Sequence, residues 1–229
     1  MKYHYQSYSL FVFFAFLVSF AKLPENCTVF QHNHSFSDFE KLYKECKLEG
    51  FITFKVFSMA MGGFGKMNLK NRDVITIIDL TKPSTEKRFF VIDLKSKKLL
   101  YDCYTAHGKN SGENYALAFS DKAGSLMSSQ GFFITGETYI GKHGYSLKLD
   151  GVENGINSNA REREIVIHGA DYVSGDFIKM HGRLGRSWGC PALPVELAKN
   201  IIDKIKDGTG LFIYTNDSKY IKNSEFVNE

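Results

Sequence analysis

The amino-acid sequence predicts a mainly β domain of the α+β class behind a short helical prefix. Three observations predict it. From Val74 onward the apolar residues fall in runs of strand length bounded by turn residues, as in Val74-Ile-Thr-Ile-Ile-Asp79. Aromatic residues, which favour strands, are abundant, with 20 Phe and 12 Tyr. Helical periodicity is confined to stretches before Asn71 and one after Pro194.

Residues 1–21 read as a cleaved signal peptide. Lys2 gives a basic start, Leu10-Phe-Val-Phe-Phe-Ala-Phe-Leu-Val18 is a compact apolar core, and Ser19-Phe20-Ala21 offers small residues to a signal peptidase. The core is short for a membrane span, which favours a cleaved signal peptide over an uncleaved N-terminal anchor, and either way the functional part is expected outside the cytosol. Residues 22–70 are the helical prefix. A first helix over 37–50 has capping-box spacing at Ser37 and Glu40, a shared face of Phe39, Leu42, Tyr43 and Cys46, and Gly50 as its stop. A second runs from Thr53 to about Gly62 on Phe54, Phe57 and Met61.

Residues 71–216 form the main domain. Strands at 74–79, 88–93 and 99–104 make a meander with turns at Lys82-Pro-Ser-Thr85 and Lys95-Ser-Lys-Lys98. A loop-rich stretch spans 107–130, and loops of that length are usually functional or mobile. Residues 131–135, 146–150 and 164–168 read as further strands. Pro194 opens a helix, where its missing N–H costs nothing. Val195, Ala198, Ile201, Ile202 and Ile205 are its buried stripe and Gly208 its stop. Residues 211–214 are the last strand, and 217–229 read as a polar tail without fixed structure.

The charge balance, 29 basic against 25 acidic residues, is +4 and interspersed. No run of Lys and Arg makes a nucleic-acid stripe, so nucleic acid is not an expected partner. No two cysteines stand in a Cys-x-x-Cys pair, which argues against a zinc ribbon or a thioredoxin-like site. Cys27 and Cys46 flank the prefix, and whether they pair is left open by the sequence. Cys103, in a strand-like run, reads as an inert buried thiol.

Cys190 differs from these because of its neighbours, His181-Gly-Arg-Leu-Gly-Arg-Ser-Trp-Gly-Cys190-Pro-Ala-Leu-Pro194. A free thiol reacts slowly at neutral pH; a nearby imidazole makes the thiolate that attacks a carbonyl carbon. His168 ends an apolar run and precedes a glycine, and the 22 positions to Cys190 are enough to loop out and return. His181, also followed by glycine, competes as the base, and spacing does not choose between them. A tetrahedral oxyanion needs N–H donors. Pro191 has none, which leaves Trp188, Gly189 and Cys190. Ser187 has two readings, orienting an imidazole or oxyanion, or bonding within the turn. Arg183 and Arg186 are candidates to hold a substrate carboxylate, whereas Arg161 and Arg163 read as solvated. His143 and His107 read as rim or substrate-contact residues. Asp171 either orients His168 or caps a turn.

The pairing of Ile-Val-Ile-His168-Gly with Ser187-Trp-Gly-Cys190 resembles the signature of the YkuD-type L,D-transpeptidase catalytic domain. The likeness is greater to a variant branch with His-Gly-Ala-Asp-Tyr, His-Gly-Arg and Ser-Trp-Gly-Cys-Pro-Ala elements. Ile78-Asp79-Leu-Thr-Lys-Pro-Ser84, Ala106-His107-Gly108 and Gly131-Phe-Phe-Ile-Thr-Gly-Glu137 also fit it. The resemblance implies a YkuD-like β-sandwich or half-open barrel and a peptidoglycan enzyme exported to the periplasm or cell envelope of a bacterium. It implies Cys190 as nucleophile and His168, rather than His181, as base, with stem peptides as donor and acceptor and no metal or cofactor. Water as acceptor would make the activity an L,D-carboxypeptidase. Trp188, Pro191-Ala192 and the long His168–Cys190 interval depart from the commonest pattern and leave the acceptor and donor preference open. Two rivals remain: a metal hydrolase built on His107, His143, His168 and His181, which lacks tight ligand spacing, and a non-catalytic wall-binding module. A papain-like protease is disfavoured because histidine precedes cysteine here.

Overall fold

The computed structural model describes residue 1 and residues 36–228. The apolar leader run at 10–18, its cleavage signal and Cys27 fall outside the described residues. Eight strands form one continuous sheet: β1 (Val74–Asp79), β2 (Phe89–Asp93), β3 (Lys98–Cys103), β4 (Gly131–Gly141), β5 (Gly144–Gly151), β6 (Val166–Gly169), β7 (Ala192–Leu193) and β8 (Gly210–Tyr214). Their order is β3-β2-β1-β8-β4-β5-β6-β7. Pairing is antiparallel except at β1–β8 and β6–β7. The mainly β expectation holds, with few helices around a single sheet.

Successive side chains of a strand point to opposite faces, and this splits the core in two. Val74, Ile78, Phe89, Val91, Phe133 and Leu211 face α4 (Val195–Ile205) through Ala198, Ile201, Ile202 and Ile205. Ile75, Ile77, Phe90, Ile92, Phe132 and Phe212 face α1 (Phe36–Glu45) and α2 (Phe54–Lys66). With both faces covered, β1 is buried along its whole length, which is why its sequence is nearly all apolar. The prefix helices therefore cover one side of the sheet. Cys46 within this layer is a free, buried thiol.

Several boundaries differ from the sequence reading. Helix α1 stops at Glu45 because Lys47 turns left-handed, at φ 53°, before Gly50 is reached, and Ser37 lies inside the helix. Thr53 caps α2, its hydroxyl accepting from the Val56 N–H at 3.4 Å, and the helix continues to Lys66. Gly63 permits that continuation: a Cβ there would stand 2.1 Å from the Phe132 ring. Val195 is exposed and does not join the stripe of α4. Strands β4 and β5 are longer than expected and close through Lys142-His143 as one hairpin, Gly141 opposite Gly144. A helix the sequence did not announce, α3 (Gly175–His181), fills part of the interval before Cys190. Ser174 caps it and Gly182, at φ 71°, ends it. None of its residues is buried, so it carries no apolar stripe.

The tail is a correction. Residues 218–223 form α5 (Ser218–Asn223), capped by Asp217, and Tyr220 sits in the core at 2% exposure. The anchor is Glu153, a buried carboxylate that accepts from the Phe132 N–H at 2.7 Å, the Tyr220 hydroxyl at 3.2 Å and the Ser224 hydroxyl. Burial pushes its pKa up against those three donors. Replacing Glu153 by alanine leaves the Phe132 N–H and both hydroxyls without this acceptor. We expect a loss of about 2 kcal/mol, read as a lowered Tm, with faster amide exchange in α5 than in α4.

Candidate active site

Strand β7 pairs parallel with β6, His168 opposite Ala192 and Gly169 opposite Leu193. Cys190 lies two positions before Ala192 on the approach to β7, so the chain that leaves β6 at Gly169 returns through α3 and sets the cysteine beside the strand that carries His168. Sequence distance is thus closed by one short parallel pairing.

His168 is buried, at 2% exposure. Its Nδ1 lies 3.0 Å from the Gly169 carbonyl oxygen, and because a carbonyl only accepts, Nδ1 carries the proton. Nε2 is left with its lone pair, the tautomer a base requires. Burial, with a smaller contribution from His143, pulls the His168 pKa down and keeps the ring neutral. The Cys190 thiol points to the Glu164 carbonyl at 3.5 Å. Among the described residues no hydrogen bond joins this sulfur to the imidazole. The thiol is half-buried, and desolvation raises its pKa. The Val166 and Cys190 N–H groups and the Arg163 guanidinium oppose that rise, while Glu164 adds to it. Raised overall, the thiol needs a base.

The turn before the cysteine is braced by Ser187. Its N–H donates to the His107 carbonyl at 2.9 Å and its own carbonyl accepts from the Lys109 N–H at 2.8 Å. Its hydroxyl donates to the Cys190 carbonyl at 2.7 Å and accepts from the Gly189 N–H at 3.0 Å. Ser187 is therefore engaged within the turn. The Gly189 N–H is engaged too, so of the three N–H groups the sequence offered, those of Trp188 and Cys190 are left. Gly189 itself sits at φ 129°, and a Cβ there would stand 2.7 Å from the Met127 carbonyl oxygen. Gly189→Ala is expected to displace the turn and to slow alkylation of Cys190 by a neutral thiol reagent at least tenfold, measured beside wild type at one pH.

The β4–β5 hairpin tip closes over this region. The His143 ring stacks on His168 with centroids 4.3 Å apart and planes at 22°. Lys142 Nζ lies 5.9 Å from the centroid of the exposed Trp188 ring. The sequence marks His143 as a rim residue; the direct stack on the imidazole depends on the length of the β4–β5 hairpin, whose strands run to Gly141 and from Gly144. His181, at the end of α3, packs on Phe177 at 4.2 Å and makes no hydrogen bond to Cys190. Asp171 is exposed, and the His168 ring nitrogen bonds Gly169 instead of this carboxylate. Arg183 and Arg186 share Glu113, at 3.0 and 2.6 Å. His107 is buried against Arg88, with Nδ1 2.8 Å from Nη2. Burial and that guanidinium push its pKa down to about 4. Among the described residues no group of three or more His, Cys, Asp or Glu side chains could hold a metal ion.

Arg163 overturns its sequence reading. Its side chain is 3% exposed and clamps the loop at 120–129, donating to the Ser120 carbonyl at 2.6 Å, Ser129 Oγ at 2.6 Å, Ser125 Oγ at 3.1 Å and the Met127 carbonyl at 2.9 Å. Its carboxylate partner is Asp121 at 3.8 Å. Met127 is the residue whose carbonyl abuts Gly189, so this buried cation holds the wall of the Cys190 turn. Only its place three positions before β6, the strand of His168, hinted at this. Arg161, by contrast, is partly exposed and pairs with Glu137 and Asp150, as a surface residue does.

The sequence matches the L,D-transpeptidase catalytic domain family over residues 49–214. That is most of the chain, and the protein belongs to this family. No curated protein matches it. Among solved structures, an L,D-transpeptidase from Mycobacterium smegmatis is 12% identical, with 62% of this chain and 59% of that chain covered at a TM-score of 0.40. An L,D-transpeptidase from Stackebrandtia nassauensis is 14% identical, with 80% and 78% covered at a TM-score of 0.38. The match thus spans about 59% of the length of the first of these.

Proposed function

We propose that this protein is a cysteine-dependent acyltransferase that modifies peptidoglycan stem peptides in the cell envelope. The observation that carries the reading is the β6–β7 pairing, which sets the Cys190 turn beside a buried His168 whose Nδ1 is held by a carbonyl. On substrate binding, sulfur leaves the Glu164 carbonyl for the imidazole. Nε2 takes the thiol proton, and the thiolate attacks the carbonyl at the L-centre of the third stem residue. The Trp188 and Cys190 N–H groups receive the oxyanion. As the tetrahedral intermediate collapses, the C–N bond to the terminal D-alanine breaks and the imidazolium protonates the departing amine. A Cys190 thioester remains. An amine of a second stem then attacks the thioester, forming a 3–3 cross-link and returning the thiol.

Export rests on the leader-like residues 1–21, and the substrate class on the family. The experiment is digestion of purified cell wall with wild-type and Cys190→Ala protein, followed by mass analysis of the muropeptides. New 3–3 dimers with wild type alone are the expected result. Trimmed tripeptides without dimers would make water the acceptor. Identical products from the two proteins would remove the enzymatic reading and leave a wall-binding role.

A further inference from the structure

Next to the nucleophile turn lies a concentration of positive charge that the chemistry at Cys190 does not use. Arg88 is fully buried, with its guanidinium bonded to the Thr105 and Lys82 carbonyls and to His107 Nδ1. His107 is neutral, so it accepts from Arg88 and donates from Nε2 to the Gly112 carbonyl at 3.2 Å. Gly112 in turn holds the backbone next to Glu113. On the open side of this buried core stand Arg183 and Arg186, with side chains 27% and 23% exposed. Both are positioned by main-chain carbonyls: Arg183 Nη1 by Leu184 at 2.8 Å, Arg186 Nη1 by Gly112 at 3.3 Å and Lys109 at 3.4 Å.

One carboxylate spans the two guanidinium groups. Glu113 Oε2 meets Arg183 Nε at 3.0 Å and Oε1 meets Arg186 Nη1 at 2.6 Å, while the Glu113 side chain is 71% exposed. The receptor is thus held by the fold, whereas its occupant comes from solvent on an exposed side chain. Exposed ion pairs of this kind hold weakly, and a second carboxylate with the same two oxygens exchanges for the first at little net cost. Two spaced guanidinium groups are the arrangement that recognises a carboxylate with direction as well as charge.

The place of the pair also fits. Arg186 is four positions before Cys190, and four residues reach at most about 14 Å. Lys109, whose carbonyl meets Arg186, also donates its N–H to the Ser187 carbonyl that starts the turn. The pair is thus held by the same segment as Cys190, at a separation no greater than a short extended peptide spans.

We propose that Arg183 and Arg186 form the receptor for a carboxylate of the donor peptide, and that Glu113 occupies it as an internal stand-in until substrate displaces it. The proposal rests on the stem-peptide reading given above. It predicts opposite signs for the two sides of one ion pair. Removing an arginine weakens the peptide's hold, whereas removing Glu113 removes its competitor.

The test is calorimetric titration of a stem tetrapeptide ending in D-alanine into the full chain carrying Cys190→Ala, which binds without reacting. Adding Arg183→Gln or Arg186→Gln is expected to raise Kd about tenfold, and adding Glu113→Gln to lower it two- to fivefold. Arg186→Lys, which keeps the charge, should recover part of the loss and guards against a variant that merely misfolds. Peptides amidated at the terminal or at a side-chain carboxylate identify which group is held, because the arginine effect vanishes for that peptide alone. A Glu113→Gln variant that weakens binding as the arginine variants do, or an arginine effect that survives both amidations, overturns the proposal and makes the contact a loop brace. Stem-peptide binding unchanged by any of these variants overturns it as well. If the Cys190-bearing protein turns over wall peptides in that last case, the functional reading stands alone. If it yields no Cys190-dependent product and no peptide binding, both fall together.

Discussion

Replacing His168 by alanine is expected to slow acylation of Cys190 by roughly 10²–10⁴-fold, measured as the single-turnover rate of thioester formation. The size follows from the thiol's surroundings. Desolvation holds its pKa up, so little thiolate pre-exists and the proton must go to a base. Among the described residues, only His168 offers a ring nitrogen fixed by a main-chain bond on the strand beside the cysteine. The pH profile carries a second signature. Burial and His143 both pull the His168 pKa down, so the neutral base persists to more acidic pH than a free imidazole. The acid limb of the rate profile should lie below the ordinary histidine range. His143→Ala removes a neighbouring ring that stacks on His168 and lowers its pKa, and should move that limb to higher pH.

Replacing Arg163 by glutamine has the second large effect. The change leaves Asp121, whose side chain is 9% exposed, buried without its cation, and removes the donors that hold Ser120 and Met127. Breaking a buried pair from one side costs about 3 kcal/mol or more, to be read from denaturant unfolding. Adding Asp121→Asn should return part of that loss. The nucleophile should respond too. The Arg163 charge lowers the thiol pKa, and without it the pH dependence of Cys190 alkylation should move upward. Arg161→Gln, at a partly exposed cluster of ion pairs, should change stability by less than about 1 kcal/mol.

The parts of this molecule that were legible in sequence are those whose signal is local. Strand β1 announces itself because both its faces are covered, and α4 because Ala198, Ile201, Ile202 and Ile205 recur at helical spacing. The Cys190 turn is legible because Gly189 must accept a backbone that other residues resist and Pro191 removes a donor. What was missed depends on contacts between distant segments. Arg163 looks like any surface arginine until the loop at 120–129 wraps around it. Residues 217–228 look like a solvated tail because one buried carboxylate, Glu153, supplies the anchor from another part of the chain. Helix α3 has caps at Ser174 and Gly182 but no buried face, so the periodicity that would announce it is missing. The choice of His168 over His181 required the family resemblance; the structure adds that His181 packs on Phe177.

The central claim is that Cys190 forms an acyl-enzyme with a stem peptide. Intact-protein mass spectrometry after brief mixing with a stem tetrapeptide tests it most directly. The account predicts an adduct equal to the tetrapeptide less D-alanine, carried by Cys190 on peptide mapping and absent from Cys190→Ala. Release of D-alanine by the Cys190→Ala protein, or turnover by wild type with an adduct mapped to any other residue, would contradict it.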